Sequence, residues 1–381
     1  MRDVCIIGGA TTVFGKFPER TPEGLGGAAV LAAMKDAGIR PKDVQFASCG
    51  TVYSGFCTGQ RVFKEVGITE IEILNVENAC ASGASSVRES WLRIATGQCD
   101  IAVAAGVESM TTSPVAGKLI PPPADDLDGQ LGLSVPMFFA MLMKRHMHQH
   151  GTTMEQFARI SVKNHHNGCL NPYSQFQQEL TVEQILASRM ICAPITLLQC
   201  CPNSDGAAAV VMCSKEIAAR YTARPMHVAG SSLRSGDYLH RWGDATFSDM
   251  SHNAAFQAYE MAGCGPDDID LIELHDAFAV SELMHYEDLG LCKKGEGGML
   301  IDSGATSLDG KIPVNPSGGL LSKGHPLGAT GVAQVVEAWH QLRGMAGSHQ
   351  VKNARVALTH VLGGYVSGIE SGAASVHIFK I

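Results

Sequence analysis

Basic charge is scarce in this 381-residue chain: 29 Lys and Arg stand against 37 Asp and Glu, a formal net charge of −8. A general nucleic-acid binder carries an excess of cations, so that class is excluded. Charge of either sign is thin, at 17% against a usual ~25%, while 45% of residues are hydrophobic and 42 are glycine. A chain of this composition buries much of itself, a subunit interface included, and is not disordered. No apolar run approaches ~18 residues, so no transmembrane helix is expected. The opening Met1-Arg2-Asp3-Val4-Cys5-Ile6-Ile7 reads as strand, not secretory leader, and the closing His377-Ile378-Phe379-Lys380-Ile381 is not a peroxisomal address. The twelve cysteines lack framework spacing and none lies beyond Cys292, so free thiols in a reducing cytoplasm are expected.

What is there is alternation. Short β-branched runs (4–8, 71–76, 101–105, 207–212, 226–230, 271–274, 355–359) alternate with Ala-rich stretches of helical period (26–37, 83–96, 254–262, 277–289, 328–343). This is the pattern of an α/β protein with a buried sheet. The section 111–193 differs: it opens on Pro121-Pro122-Pro123-Ala124-Asp125-Asp126, becomes Met- and His-rich helix, and shows no strand alternation. It reads as a loop or lid subdomain inserted into the first of two α/β halves.

Those halves are visible as an internal repeat. Ala37-Gly38-Ile39-Arg40-Pro41-Lys42-Asp43-Val44 returns as Ala262-Gly263-Cys264-Gly265-Pro266-Asp267-Asp268-Ile269, each copy after an Ala-rich helix and before an apolar strand. The offset is 262 − 37 = 225. Further on, Cys80-Ala81-Ser82-Gly83-Ala84 aligns without gaps with His325-Pro326-Leu327-Gly328-Ala329, at 325 − 80 = 245. Two echoes in the same order argue for duplication, with halves at 1–110 plus 194–224 and at 225–381, and 111–193 as the insertion.

The duplication has a chemical corollary. Each aligned segment sits where an apolar strand gives way to a Gly/Ala-rich helix, so Cys80 and His325 both stand at helix N-termini, where negative charge is favoured. Halves facing each other across a pseudo-twofold axis would bring thiol and imidazole together, lowering the thiol toward a usable thiolate. A solitary cysteine is more often buried and inert; the matched His325 turns the reading to a Cys–His nucleophile. Glu273-Leu274-His275-Asp276-Ala277-Phe278 ends another strand, so His275 faces the strand edge where α/β sites lie and could donate to a developing oxyanion. Asp276 is expected to cap the following helix. In Thr359-His360-Val361-Leu362-Gly363-Gly364-Tyr365, Gly363 allows close backbone approach, and its N–H could complete an oxyanion hole with that of Cys80. His146-Met147-His148-Gln149-His150 cannot put three imidazoles on one helix face and reads as solvated helix. Cys200-Cys201 lacks zinc spacing, and no metal site is expected.

Asn78-Ala79-Cys80-Ala81-Ser82-Gly83, His275-Asp276-Ala277-Phe278, Asn315-Pro316-Ser317-Gly318-Gly319 with Gly324-His325-Pro326, and Leu362-Gly363-Gly364 resemble the four active-site loops of thiolases. The His-Asp-x-Phe spelling is similar to the sterol-carrier-protein-2 type, and the resemblance spans essentially the whole chain. It implies a five-layered α-β-α-β-α fold with a five-stranded sheet in each half, an obligate homodimer, and Claisen or retro-Claisen chemistry on CoA thioesters. In that chemistry Cys80 is acylated and His325 takes its proton. His275 stabilises an enolate oxygen, and the N–H groups of Cys80 and Gly363 hold the tetrahedral intermediate. Coenzyme A is a co-substrate, and no metal or redox cofactor is required.

The chain departs from the family in one respect. Thiolases carry a second cysteine that moves the α-proton, in the last loop or, in the sterol-carrier type, within His-Asp-x-Phe; here those places hold Val361 and Ala277. Either another group handles that proton, or the substrate gives a stabilised carbanion, or the step is not the usual one. His360 and Tyr365 stand near. The vacancy points to a specialised, bulky or aromatic 3-oxoacyl-CoA, as in the benzoylsuccinyl-CoA thiolase group, whose members pair with a small zinc- and OB-fold-containing subunit. Two other readings compete: a ketoacyl-synthase-like condensing enzyme with a Cys-His-His site, and a non-catalytic binding subunit.

Overall fold

The computed structural model describes residues 1–118, 125–238, 243–364, 366 and 371–381; Pro121–Ala124 of the proline run and Tyr365 lie outside them. The first half runs β1 (Val4–Thr11), α1 (Pro22–Ala37), β2 (Phe46–Gly50), α2 (Thr58–Glu65), β3 (Glu72–Val76), α3 (Ser82–Ala95) and β4 (Ile101–Ser109). Next come α4 (Leu127–Gln130), α5 (Val135–His150), α6 (Met154–Leu170), α7 (Val182–Ala187), β5 (Met190–Cys192) and β6 (Ile195–Thr196), before β7 (Asp205–Ser214) and α8 (Lys215–Ala218). The second half is β8 (Met226–Arg234), α9 (Asp249–Ala262), β9 (Leu271–Glu273), α10 (Ala279–Asp288), α11 (Gly297–Asp302), α12 (Gly319–Ser322), α13 (Leu327–Arg343), β10 (Val356–Gly363) and β11 (Ala373–Lys380).

The strands form one sheet in the order β3-β2-β4-β7-β1-β8-β11-β10-β9. Read from its middle outwards the order is the same twice. β1 and β8 join the halves through an antiparallel pairing at Cys5–His227 and Ile6–Met226. Each is flanked by an antiparallel strand (β7, β11), then by β4 or β10, then by a parallel strand (β2, β9). The fifth position differs. In the first half it is β3, parallel to β2; in the second it is only an isolated parallel bridge, Ile272 with Val314. The expected five-plus-five strands are thus five, four and a bridge. β9 is only three residues long, and beyond Val314 the chain turns at Asn315, whose φ of +54° ends any extended run.

Burial explains the layers. β4 and β7 are buried along their whole lengths, as strands covered on both faces must be. α13 is buried on nearly every side, which fits a helix held by both halves of the sheet, against β4 and β7 of the first and β10 of the second, rather than on a surface. α3 and α13 pack on each other and fill the centre, α1 covers the outer face of the first half, and α9 that of the second. The repeat reappears in detail: α1 and α9 both end on a glycine in left-handed conformation (Gly38, φ +66°; Gly263, φ +61°), each followed by a 3-10 turn at Pro41–Asp43 or Pro266–Asp268.

The inserted segment is mostly helix, but β5 and β6 form a two-stranded hairpin at its end, where no strand was expected. β2 and β11 were also not singled out in sequence. Among the described residues, no helix is long and apolar enough to cross a membrane.

Candidate active site

Two tight turns bring the ends of α3 and α13 together. After β3 the chain passes through Ala79, whose φ of +47° costs a non-glycine residue roughly 1–2 kcal/mol. Ser82 holds the turn: its hydroxyl accepts the Asn78 N–H at 2.9 Å and donates to the Ala79 carbonyl at 2.6 Å. Cys80 is thereby set just before the first turn of α3. Opposite, His325 precedes Pro326, the N-cap of α13. Small residues let these ends meet: a Cβ on Gly83 would lie 2.5 Å from the Gly328 carbonyl, and one on Gly331 would strike the Ala84 backbone.

The result is a contact of 3.2 Å between His325 Nε2 and Cys80 Sγ. The tautomer follows from the neighbours. Thr330 donates its hydroxyl proton to the Pro326 carbonyl at 3.0 Å, so at 2.8 Å it accepts from His325 Nδ1–H. Nε2 is left bare to take the thiol proton. The His325 backbone N–H donates to Ser204 Oγ at 3.0 Å, which fixes the loop.

The expected lowering of the thiol is not found. Burial pushes Cys80 up to about 12, with the N–H groups of Gly364 and of Cys80 itself pulling the other way. Burial likewise holds His325 down to about 3. The charged pair would have to stand in a dry pocket, so the resting state is thiol and neutral imidazole. The sulfur becomes nucleophilic only as its proton moves to Nε2.

His275 lies beside this pair, its ring 5.3 Å from that of His325 at 73°. It is 5% exposed, and neither ring nitrogen has a hydrogen-bond partner among the described residues. A buried imidazole without partners is expensive unless a ligand satisfies it. Burial, then the neighbouring imidazoles of His325, His285 and His360, keep it neutral. Its loop is braced from below. Asn315 accepts from the Leu274 N–H and donates to Glu282, and Asn164 of α6 donates to both Asp276 and Glu282 at 2.7 Å. Lys163 pairs with Glu282 at 2.9 Å. Asp276 does not cap α10, whose N-cap is Phe278. It accepts instead from the Leu320 and Leu321 N–H groups in the first turn of α12, because its loop turns away from α10.

Gly363 packs against the Asn78–Ala81 turn, where a Cβ would lie 2.8 Å from that of Ala81. The backbone N–H that reaches the Cys80 sulfur belongs to the next residue, Gly364. The structure thus brings Cys80, His325, His275 and Gly363 to one place. Sequence reasoning passed over Thr330, Ser204, Asn164 and Gly364 as site residues; they lie five residues beyond the motif histidine, in other elements, or one residue along. His146 is no solvated residue: it is fully buried, its Nδ1 2.7 Å from Thr152 and its Nε2 3.1 Å from Glu287, while His148 is exposed. Its helix turns this one side chain onto α10.

Donor atoms of Cys80, His275 and His325 all lie within 4.8 Å of one another, the one such group among the described residues that could hold a metal ion. Tetrahedral bonds of about 2.3 Å to sulfur and 2.0 Å to nitrogen would set S and N about 3.6 Å apart. The 3.2 Å observed is a hydrogen-bond distance.

Residues 4–216 match the family model of the thiolase N-terminal domain, and residues 231–378 that of the thiolase C-terminal domain-like family. The chain is 43% identical to an acetyl-CoA acetyltransferase of Methanothermobacter thermautotrophicus over the whole of both chains. It is 41% identical to the benzoylsuccinyl-CoA thiolase subunit BbsB of Thauera aromatica over 95% of each. Among solved structures, the Ltp2-ChsH2(DUF35) aldolase superposes with a TM-score of 0.87 at 27% identity, over 99% of this chain and 97% of that one. Human mitochondrial 3-ketoacyl-CoA thiolase shares the fold at 19% identity, with a TM-score of 0.76 over 100% and 98%. The chain belongs to the thiolase family of acyl-CoA C-acyltransferases.

Proposed function

We propose that Cys80 is the acylated nucleophile of a thiolase that cleaves, or forms, a 3-oxoacyl-CoA. The observation that carries this is the 3.2 Å contact of a bare His325 Nε2 with the Cys80 thiol, beneath an unpartnered His275. In the cleaving direction, Nε2 takes the thiol proton as sulfur attacks the 3-oxo carbon. The N–H groups of Cys80 and Gly364 face the sulfur and meet the oxyanion; Gly363 lets the last loop come close enough. The C2–C3 bond then breaks, and its electron pair moves onto the departing thioester as an enolate whose oxygen His275 receives. The thiol of coenzyme A attacks the acyl-sulfur bond, and His325 returns its proton to Cys80. Nothing in this sequence calls for a metal or redox cofactor.

The acyl group we assign is bulky, on the aromatic side. A cavity of about 480 Å³ adjoins the last loop through Leu362; Phe138, Phe139 and Phe247 give it an aromatic part, and Arg234, Asp244 and Asn253 a polar one. A partner subunit of the small zinc- and OB-fold-containing kind belongs to the same reading. It is supported by the ChsH2(DUF35) assembly of the structural relative, by the subunit naming of the benzoylsuccinyl-CoA relative, and by Leu127, Leu131, Met137 and Met141, which stand exposed on α4, beside it, and on α5. A homodimer is supported by β3, whose outer edge has no strand beside it among the described residues. The division into halves (1–110 with 194–224, and 225–381) around an inserted 111–193 rests on the mirrored strand order. Twelve free thiols support a cytoplasmic location.

The test incubates the protein with acetyl-CoA or benzoyl-CoA and reads acyl-Cys80 by mass, then its release by coenzyme A. Faster labelling by benzoyl-CoA supports the aromatic assignment, and faster labelling by acetyl-CoA replaces it with acetyl transfer. Absence of labelling on Cys80 with both would overturn the nucleophile. Release only by malonyl donors would mark a condensing enzyme, and undiminished activity in Cys80→Ala a scaffold.

A further inference from the structure

Carbon–carbon cleavage between two acyl-CoA units needs two separate proton carriers. Cys80 and His325 exchange one proton between sulfur and nitrogen. The α-carbon of the departing enolate needs another, and Ala277 and Val361 cannot supply it. His285 and His360, the other imidazoles beside His275, are tied to Asp288 at 2.8 Å and to Ser251 at 3.0 Å, which leaves three further titratable groups to weigh. His275 is held neutral well below the usual imidazole range, and is suited to donating a hydrogen bond rather than a proton. Asp276 is engaged by Asn164 and by two backbone N–H groups of α12. The third is a thiol from another element.

We infer that Cys201 is the acid and base at the α-carbon. This rests on the thiolase reading of Cys80 and deepens it. The segment 200–204 threads between the two histidine loops. Cys200 forms an antiparallel bridge with Phe278, the Cys201 N–H donates to the Ala277 carbonyl at 2.9 Å, and Asn203 bridges His325. Residues opposed across an antiparallel pair project to the same face, their Cα atoms about 5.5 Å apart where they are hydrogen-bonded. Cys201 is opposed to Ala277, so its thiol leaves the pair on the side to which Ala277 points. Cys200 and Phe278 take the other side, where the Cys200 thiol donates to the Thr196 carbonyl and the Phe278 ring stacks on Phe139.

On the Ala277 side the neighbours are the reaction centre. Charge on Cys80 or on Asp276 would act directly on the Cys201 thiol. Its sulfur is met by its own backbone N–H, which leaves the S–H proton uncommitted, while the adjacent His275 is buried with both nitrogens free among the described residues. A donor and a hydrogen-bonding imidazole are thus both kept open to the same ligand. Burial keeps Cys201 protonated, the state needed to quench an enolate. In cleavage, the C2 carbanion takes the proton of Cys201 S–H, forming a C–H bond and leaving a thiolate. That thiolate removes the proton of the incoming coenzyme A thiol, which then attacks acyl-Cys80. Both residues end as they began. In synthesis the Cys201 thiolate abstracts the α-proton.

The assignment separates acylation from carbon-acid chemistry, so the experiment reads both on the full-length protein. Wild type and Cys201→Ala are incubated with acetyl-CoA and, in parallel, succinyl-CoA in D2O. Acyl-Cys80 is followed by mass and α-hydrogen exchange by NMR. The variant is expected to acylate Cys80 within about threefold of wild type but to lose exchange by ~10²-fold or more. Adding Ala277→Cys, which returns a thiol from the opposed position, is expected to restore exchange at least tenfold. A merely structural role would not give that rescue. Cys201→Ser, which keeps the volume, stands in if the alanine variant does not fold and has the same expected outcome. Exchange within threefold of wild type in a variant that acylates normally overturns Cys201. Failure of wild type to acylate Cys80 overturns the nucleophile instead.

Discussion

Cys80 and His325 are 245 residues apart in the chain and 3.2 Å apart in space, each in the residues just ahead of a helix, α3 or α13, at matching places of a duplicated unit. Neither carries charge at rest. Cys80 is pushed up to about 12 and His325 down to about 3, both chiefly by burial. Alkylation of Cys80 by iodoacetamide is therefore expected to be slow at pH 7 and to climb about tenfold per unit from pH 7 to 9, without a plateau, since thiolate is the reactive form. A preformed thiolate–imidazolium pair would instead react quickly and level off near neutrality. Between pH 7 and 5, His325 stays neutral, so acylation should show no loss attributable to its protonation; a titration near 6.5 that disappears in His325→Asn would refute this.

Thr330 chooses the tautomer, and its removal should be felt at the sulfur. Thr330→Val keeps the shape but leaves Nδ1–H without an acceptor, which frees the ring to turn or to move its proton to Nε2. Acylation of Cys80 is expected to fall by about 10–10²-fold with an unchanged melting profile, while Thr330→Ser keeps most of the rate. Equal rates in the valine and serine variants would mean that the ring is oriented by other contacts.

How far the sequence revealed this site can be judged residue by residue. Cys80 and His325 were legible because duplication leaves an arithmetic trace, the constant offset of matched segments. His275 was legible because its motif ends a strand. Thr330 and Asn164 were not, since a hydroxyl one helical turn along and an amide on an inserted helix carry no periodic signal. Cys201 was discounted for lacking metal spacing; only the pairing with Ala277 shows where it points. His146 and Asp276 were misplaced for one reason: local rules of helix face and capping cannot see a partner more than 40 residues away, here Glu287 and the first turn of α12. The depressed thiol failed likewise, because dryness is a property of the packed pocket. The fifth strand of the second half shrank to one bridge, a length that pattern cannot resolve.

The approach of α3 and α13 depends on the absence of side chains. Gly331→Ala would drive a methyl group into the Ala84 backbone, and Gly83→Ala one to 2.5 Å from the Gly328 carbonyl. The helices must then move apart, at a cost of about 1–3 kcal/mol each, visible as an earlier denaturant midpoint. Because Cys80 and His325 ride on those helix ends, acylation should fall further than stability explains. A Gly331→Ala variant with wild-type midpoint and acylation rate would show that the contact has slack.

Asp276 offers a prediction whose sign is set by burial. Its carboxyl is raised to about 8, chiefly by desolvation and next by Glu282, against an ordinary value of 3.8. Between those two values the folded protein holds a proton that the unfolded chain has released. The stability this contributes is complete below the unfolded value and is lost as pH rises toward the folded one. Asp276→Asn removes that dependence: its amide cannot ionise, although it accepts less well from Leu320 and Leu321. The melting temperature of the variant, relative to wild type, should therefore improve by a few degrees as pH is raised from 5 to 8, whatever its offset at the start. Glu273, raised to about 7, is present in both proteins and cancels from the difference. A relative melting temperature that stays level over this range would mean that Asp276 is ionised in the fold, with Asn164, Lys163 and the α12 backbone together outweighing its desolvation.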